Sequence, residues 1–156
     1  MKTSFVRDQW NPQDWILVRC PWGNGEGLWI QKEDCIANYT PENAAPEELC
    51  ERGKYAADTF ASMILKKRFN CPVKASATMS FDYKMAPLMF IANEIDTSVK
   101  VPLLGERYEV VLYNEGINVW EHFKQNGKIA YNRKLFYCKN FSAKQKYQMA
   151  VAVDPN

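Results

Sequence analysis

A single histidine, His122, serves the whole chain, and none of the five cysteines sits in a C-x-x-C pair. The first scarcity rules out a multi-histidine metal centre within one chain, and the second removes the usual spacing of a zinc or dithiol motif. No H-E-x-x-H, no G-x-S-x-G and no glycine-rich phosphate loop is present, so the signatures of zinc proteases, serine hydrolases and nucleotide binders are missing. The stretch Gly23-Asn24-Gly25-Glu26-Gly27 lacks the G-x-G-x-x-G spacing and a following helix, and reads as a loop. Long apolar runs are missing too. None approaches the roughly 20 residues of a membrane-crossing helix, and no apolar stretch follows Lys2 as a leader would require. As written, the chain is expected in the cytoplasm, with no membrane partner.

Charge of one sign is not in excess either, with 20 Lys and Arg against 18 Asp and Glu. The run Lys66-Lys67-Arg68 is too short for a nucleic-acid stripe and reads as a solvated strand edge, so no nucleic-acid partner is expected. Because Cys20, Cys35, Cys50, Cys71 and Cys138 are odd in number, at least one thiol stays unpaired within a monomer. No cofactor is implied, and no motif points to calcium.

Apolar spacing at three and four never persists for several turns; what the sequence has instead is alternation. Val73, Ala75, Ala77, Met79, Phe81 and Tyr83 alternate with Lys74, Ser76, Thr78, Ser80, Asp82 and Lys84, the pattern of a strand with one wet face. Pro87 to Ala92 is apolar on both sides and predicts a strand in the interior or beneath a loop. Shorter runs at Asp14 to Arg19, Leu28 to Gln31 and Asp34 to Ala37 read as strands wrapping over a sheet edge. Pro46 to Leu49 suits one helical turn, and Tyr55 to Phe69 a longer strand. Asn93 to Gly105 reads as a loop, Asn126-Gly127 as a hairpin turn into Lys128 to Tyr131, and Leu135 to Cys138 and Tyr147 to Val153 as closing strands. A chain of 156 residues is the size of one domain. The expectation is therefore all-β: a single domain over residues 1–156, with N-terminal strands and loop over 1–53 and a core sandwich over 54–153.

Arg107 to Lys124 organises the rest. Tyr108, Val110 and Leu112 alternate with Glu109, Val111 and Tyr113, and after a turn Ile117, Val119 and Phe123 alternate with Asn118, Trp120 and His122. A two-residue loop at Glu115-Gly116 would set Tyr113 opposite Asn118, Val111 opposite Trp120 and Glu109 opposite His122. One face is then greasy, while the other projects Trp120 and His122 together into an open trough. An aromatic plate among directed polar groups suits a sugar, whose C–H faces pack on rings and whose hydroxyls need donors and acceptors. In this reading Trp120 stacks on the sugar, Asn118, His122, Glu109 and Tyr113 hold its hydroxyls, and Arg107 meets an acidic sugar. The plainer alternative packs Trp120 beneath a loop. Glu109 and His122 would also suit a general base and its orienter in a hydrolase or lyase.

The segment from Tyr55 to Val153 resembles the jelly rolls of the concanavalin A-like lectin and glucanase superfamily. The likeness rests on a long strand with a basic end, an alternating strand, the PLMFIAN strand and the YEVVLYNEGINVWEH hairpin, which is similar to bacterial members associated with carbohydrate use. It implies two curved antiparallel sheets forming a jelly-roll sandwich, with an oligo- or polysaccharide on the concave face. Glucanases of the superfamily carry E-x-D-x-x-E. Glu94 and Asp96 match its start, and Val99 stands where the acid/base carboxyl belongs, so the pair that retaining hydrolysis needs is incomplete. The three functions this leaves are a carbohydrate-binding domain, a glycoside hydrolase or polysaccharide lyase using the same cleft, and a noncatalytic assembly domain. The last strand ends almost at Asp154-Pro155-Asn156, as though a final hairpin were missing, which predicts a truncated relative with an exposed apolar β edge prone to self-association.

Overall fold

A computed structural model describes residues 1–18, 29–38, 62–81, 87–98 and 103–154, and among these the regular structure is strand, with no α-helix. No helix among them is long and apolar enough to cross a membrane. The chain divides into two compact units, Met1–Arg68 with Thr97–Leu103, and Phe69–Asp96 with Leu104–Asn156. The expected loop at Gly23 to Gly27, the helical turn at Pro46 to Leu49, the start of the strand at Tyr55, Asp82 to Lys84 and Val99 lie outside the described residues.

In the first unit a 3-10 turn, Pro12–Asp14, opens on Asn11, whose side chain accepts from the Gln13 amide at 3.1 Å. It leads into β1 (Trp15–Val18). β2 (Trp29–Gln31) pairs with β3 (Ile36–Asn38), and β1 pairs with β4 (Ser62–Leu65), all antiparallel. Among the described residues the N-terminal strands form two-stranded sheets of their own. After β4, Lys66, Lys67 and Arg68 are exposed, as a solvated strand end should be.

In the second unit β5 (Val73–Met79) shows the alternation its sequence dictates, half-buried at odd positions and exposed at even ones. It pairs with β12 (Tyr147–Val153), Met79 opposite Tyr147 and Ala77 opposite Met149. β6 (Leu88–Ala92), β9 (Arg107–Tyr113), β10 (Gly116–Gln125) and β11 (Lys128–Cys138) form a second sheet in the order β11-β10-β9-β6. β6 was expected in the interior or beneath a loop; among the described residues it is an edge strand, half-buried at each of its positions. An apolar run reports cover on its two faces, and says nothing of whether its backbone has neighbours on both sides. The expected loop from Asn93 to Gly105 contains two-residue strands, β7 (Ile95–Asp96) and β8 (Leu103–Leu104), and the Gly105 amide donates to the Glu94 carbonyl at 3.2 Å.

The β9–β10 hairpin corrects the expected register by two residues. Its turn is Asn114-Glu115, Gly116 begins β10 opposite Tyr113, and Trp120 faces Glu109 while His122 faces Arg107. Gly116 adopts φ +154°, and a Cβ there would collide with the Tyr137 carbonyl oxygen, so β11 approaches too closely for any side chain. A shift of two preserves side-chain parity, so the division into two faces stands. The Asn126-Gly127 turn forms as expected, with φ of 51° and 75°, and sets Gln125 opposite Lys128. β11 is one strand instead of two, with a bulge where Trp120 pairs with Arg133 and Val119 with Leu135.

Leu112, Phe81 and Met149 are the buried apolar core among the described residues, at 1%, 4% and 6% exposure. Met79, Met89, Val110, Ile117, Phe141 and Tyr147 pack on them. Leu112, Val110 and Ile117 come from one face of the four-stranded sheet, which is thereby committed to the interior. Burying a side chain such as Leu112 contributes about 1.5–3 kcal/mol.

Candidate functional site

Residues opposite one another across a ladder share a face, so the face turned away from Leu112 carries Phe90, Glu109, Trp120 and Arg133 in one row. Ala92, Arg107, His122 and Tyr131 form the next row, and Leu88, Val111, Asn118 and Phe136 a third. Tyr113 lies beyond, opposite Gly116. Arg107, Glu109, Tyr113, Asn118, Trp120 and His122 are therefore brought to one face, as the sequence implied.

Glu109 is its electrostatic centre. Arg107 Nε donates to Glu109 Oε1 at 2.7 Å, and His122 Nε2 lies 3.2 Å from Oε2. Glu109 and His122 were expected as direct cross-strand partners; they are diagonal neighbours, and the carboxylate reaches the imidazole along the strand. Arg107 also donates through Nη1 to the Gly105 carbonyl at 3.2 Å, which ties the start of β9 to the preceding turn. Burial by itself pushes the Glu109 carboxyl up, but the His122 hydrogen bond and the Arg107 guanidinium together outweigh it and hold the group below its ordinary range. The carboxylate is ionised at neutral pH.

The expected open trough is not found at these groups. The side chains of Arg107, Glu109 and His122 keep only 10%, 12% and 13% of their exposure, and Trp120 is half-buried. Asn118 Oδ1 is buried without a hydrogen-bond partner. The most open ring of this face is Tyr131, 67% exposed, against 42% for Phe136. It stands edge-on to Trp120 at 5.9 Å and tilted over His122 at 5.7 Å. Beside it Phe136 stacks on Tyr113 at 6.3 Å and carries the Arg133 guanidinium 5.2 Å above its ring. Sequence reasoning passed over Tyr131, Arg133 and Phe136. The Asn126-Gly127 turn held the clue for Tyr131, because a two-residue loop there sets His122 opposite Tyr131 by counting outward.

Glu94 and Asp96 do not join the buried cluster; both are exposed. Glu94 forms an ion pair with Lys124, whose backbone amide also donates to Glu106 Oε1 at 2.9 Å. Its carboxylate raises the Lys124 ammonium above its ordinary value. On the opposite face Glu121 accepts from the Tyr108 hydroxyl at 2.8 Å and pairs with Lys134 at 2.7 Å. Those two partners hold its carboxyl below the usual range. Among the described residues no three His, Cys, Asp or Glu side chains gather as they would around a metal ion. In the first unit a hollow lined by Met1, Gln13, Asp14, Leu65, Lys66 and Lys67 has no ring or histidine in its wall.

These features define an all-β protein with several antiparallel sheets, one of which carries a buried Arg–Glu–His cluster beside an exposed aromatic group. No protein-family model matches the chain, and neither the curated proteins nor the solved structures gave a match.

Proposed function

We propose that the protein is a carbohydrate-binding domain of jelly-roll type, and that the aromatic side of the four-stranded sheet receives an oligo- or polysaccharide. The observation that carries this reading is the open Tyr131 ring set against Trp120 and His122. A ring set against neighbours on rigid strands offers a flat apolar face to a sugar's C–H groups at little entropic cost. Tyr131 takes the leading stacking role, with Trp120 behind it as support.

Binding is favoured over glycoside cleavage because both Glu109 oxygens are already engaged, one by Arg107 and one by His122. Retaining and inverting hydrolases need a second carboxyl across the scissile bond. Glu94 is held by Lys124, and Glu121 lies on the opposite face. The Glu109 cluster then serves as the rigid floor that fixes Trp120 and His122. Calorimetric titration of a glycan panel against wild type, Tyr131→Ala and Trp120→Ala tests the reading. At least one glycan should bind wild type, and Tyr131→Ala should weaken it about tenfold, the loss of roughly one aromatic contact. Failure of every glycan to bind, or unchanged affinity in Tyr131→Ala, would overturn it.

A further inference from the structure

β11 has β10 on one side and, among the described residues, no strand on the other. Every one of its residues except Ala130 is exposed, and Tyr131, Leu135, Phe136 and Tyr137 are large apolar groups in the open. An edge of eleven residues, interrupted by the bulge at Lys134, leaves outward N–H and C=O groups on both sides of that bulge able to pair with a further strand. Charge says which strand. From Lys128 to Lys139 the segment contains Lys128, Arg133, Lys134 and Lys139 and no acidic residue. These cations lie symmetrically about the point between Arg133 and Lys134. Two copies paired antiparallel about that point would set Lys128 against Lys139 and Arg133 against Lys134. A shift by one residue would set Arg133 against its own copy. Like charges directly opposite are destabilising, so this edge disfavours its own copy. A strand bearing carboxylates at the same positions would meet opposite charge.

We propose that β11 is a strand-addition site for an extended acidic segment of a partner protein. Main-chain hydrogen bonds to the open edge supply affinity, and alternate apolar side chains of the segment pack on Tyr131 and Phe136 on one face, or Leu135 and Tyr137 on the other. Lys134 is paired with the Glu121 carboxylate, whereas Arg133 and Lys139 lie over the Phe136 and Phe141 rings and, with Lys128, read the acidic residues. The main-chain ladder uses the rim of the sheet and does not depend on the glycan reading; only packing on Tyr131 is shared with it.

Fluorescence anisotropy on the full chain tests this with a labelled peptide alternating Glu with Val, its Lys-for-Glu counterpart, versions of the acidic peptide methylated at alternate backbone nitrogens, and single-stranded oligouridylate. The acidic peptide should bind about tenfold more tightly than the basic one, and methylation in one phase should abolish binding by blocking the ladder. Lys128→Glu combined with Lys139→Glu should reverse the preference toward the basic peptide, a gain that a misfolded variant would not give. Equal binding of both peptides, binding that survives methylation in either phase, absence of binding by any peptide, or displacement of the peptide by oligouridylate would each overturn the proposal.

Discussion

At the scale of the residue, Glu109 is the side chain on which the aromatic face depends. A buried carboxylate survives only when its charge is matched, and here Arg107 and His122 take one oxygen each. Replacing it by Gln leaves the Arg107 guanidinium, itself 10% exposed, without its counter-ion. Removing one partner of a buried ion pair costs about 3–5 kcal/mol, and Glu109→Gln should lose stability of that order in urea unfolding. The pH dependence follows from the direction of the carboxyl's shift. Its folded value lies below its ordinary value of 4.5, so its stabilising contribution is complete above that value and is lost as pH falls through the folded one. The stability gap between wild type and Glu109→Gln should therefore shrink as pH falls below 4.5. A gap that stays the same down to about pH 3 would show that the charge on Glu109 is not what stabilises the fold.

At the scale of the element, the two hairpin glycines separate what the sequence made legible from what it hid. Asn126-Gly127 announces its turn because both positions need positive φ, and the structure has them there. Gly116 suggested a turn residue by the same logic, yet its role is to let β11 pass close by, a tertiary demand that no local pattern expresses. Parity survived the misplaced turn because the error was even; a shift of one would have sent Trp120 and His122 into the core. The bulge near Lys134 was illegible for a related reason. Counting outward from Asn126-Gly127 places Tyr131 correctly but would put Phe136 on the face of Ile117, and only the extra residue returns it to the side of Tyr113. Gly116→Ala should lose about 1–3 kcal/mol by overpacking against the Tyr137 carbonyl and the Phe136 ring. Gly127→Ala, with nothing within 4 Å of its new methyl, should lose only the roughly 1 kcal/mol of a left-handed backbone. Equal losses in denaturant melts would contradict the close approach of β11.

At the scale of the whole molecule, balanced composition conceals a local imbalance. The net charge is only +2, yet β11 gathers cations without a carboxylate of its own, while Glu94, Glu106, Glu109 and Glu121 sit on or beside the neighbouring strands and are spent within the sheet. The core accounts for the other face of that sheet. Leu112, Val110 and Ile117 meet Met79, Met149 and Tyr147 from the β5–β12 pair, so the two sheets of the second unit share a single apolar cluster. If that cluster couples them, damage to one sheet should be felt in the other. Leu112→Ala removes the most deeply buried of these side chains, at 1% exposure, and should cost about 2–5 kcal/mol. Hydrogen exchange should then quicken in β5 and β12 as much as in β9 and β10, because the cluster is held from both sides and opens as one unit. Protection lost in β9 and β10 alone, with β5 and β12 unchanged, would mean that the β5–β12 pair is held by something other than the Leu112 cluster.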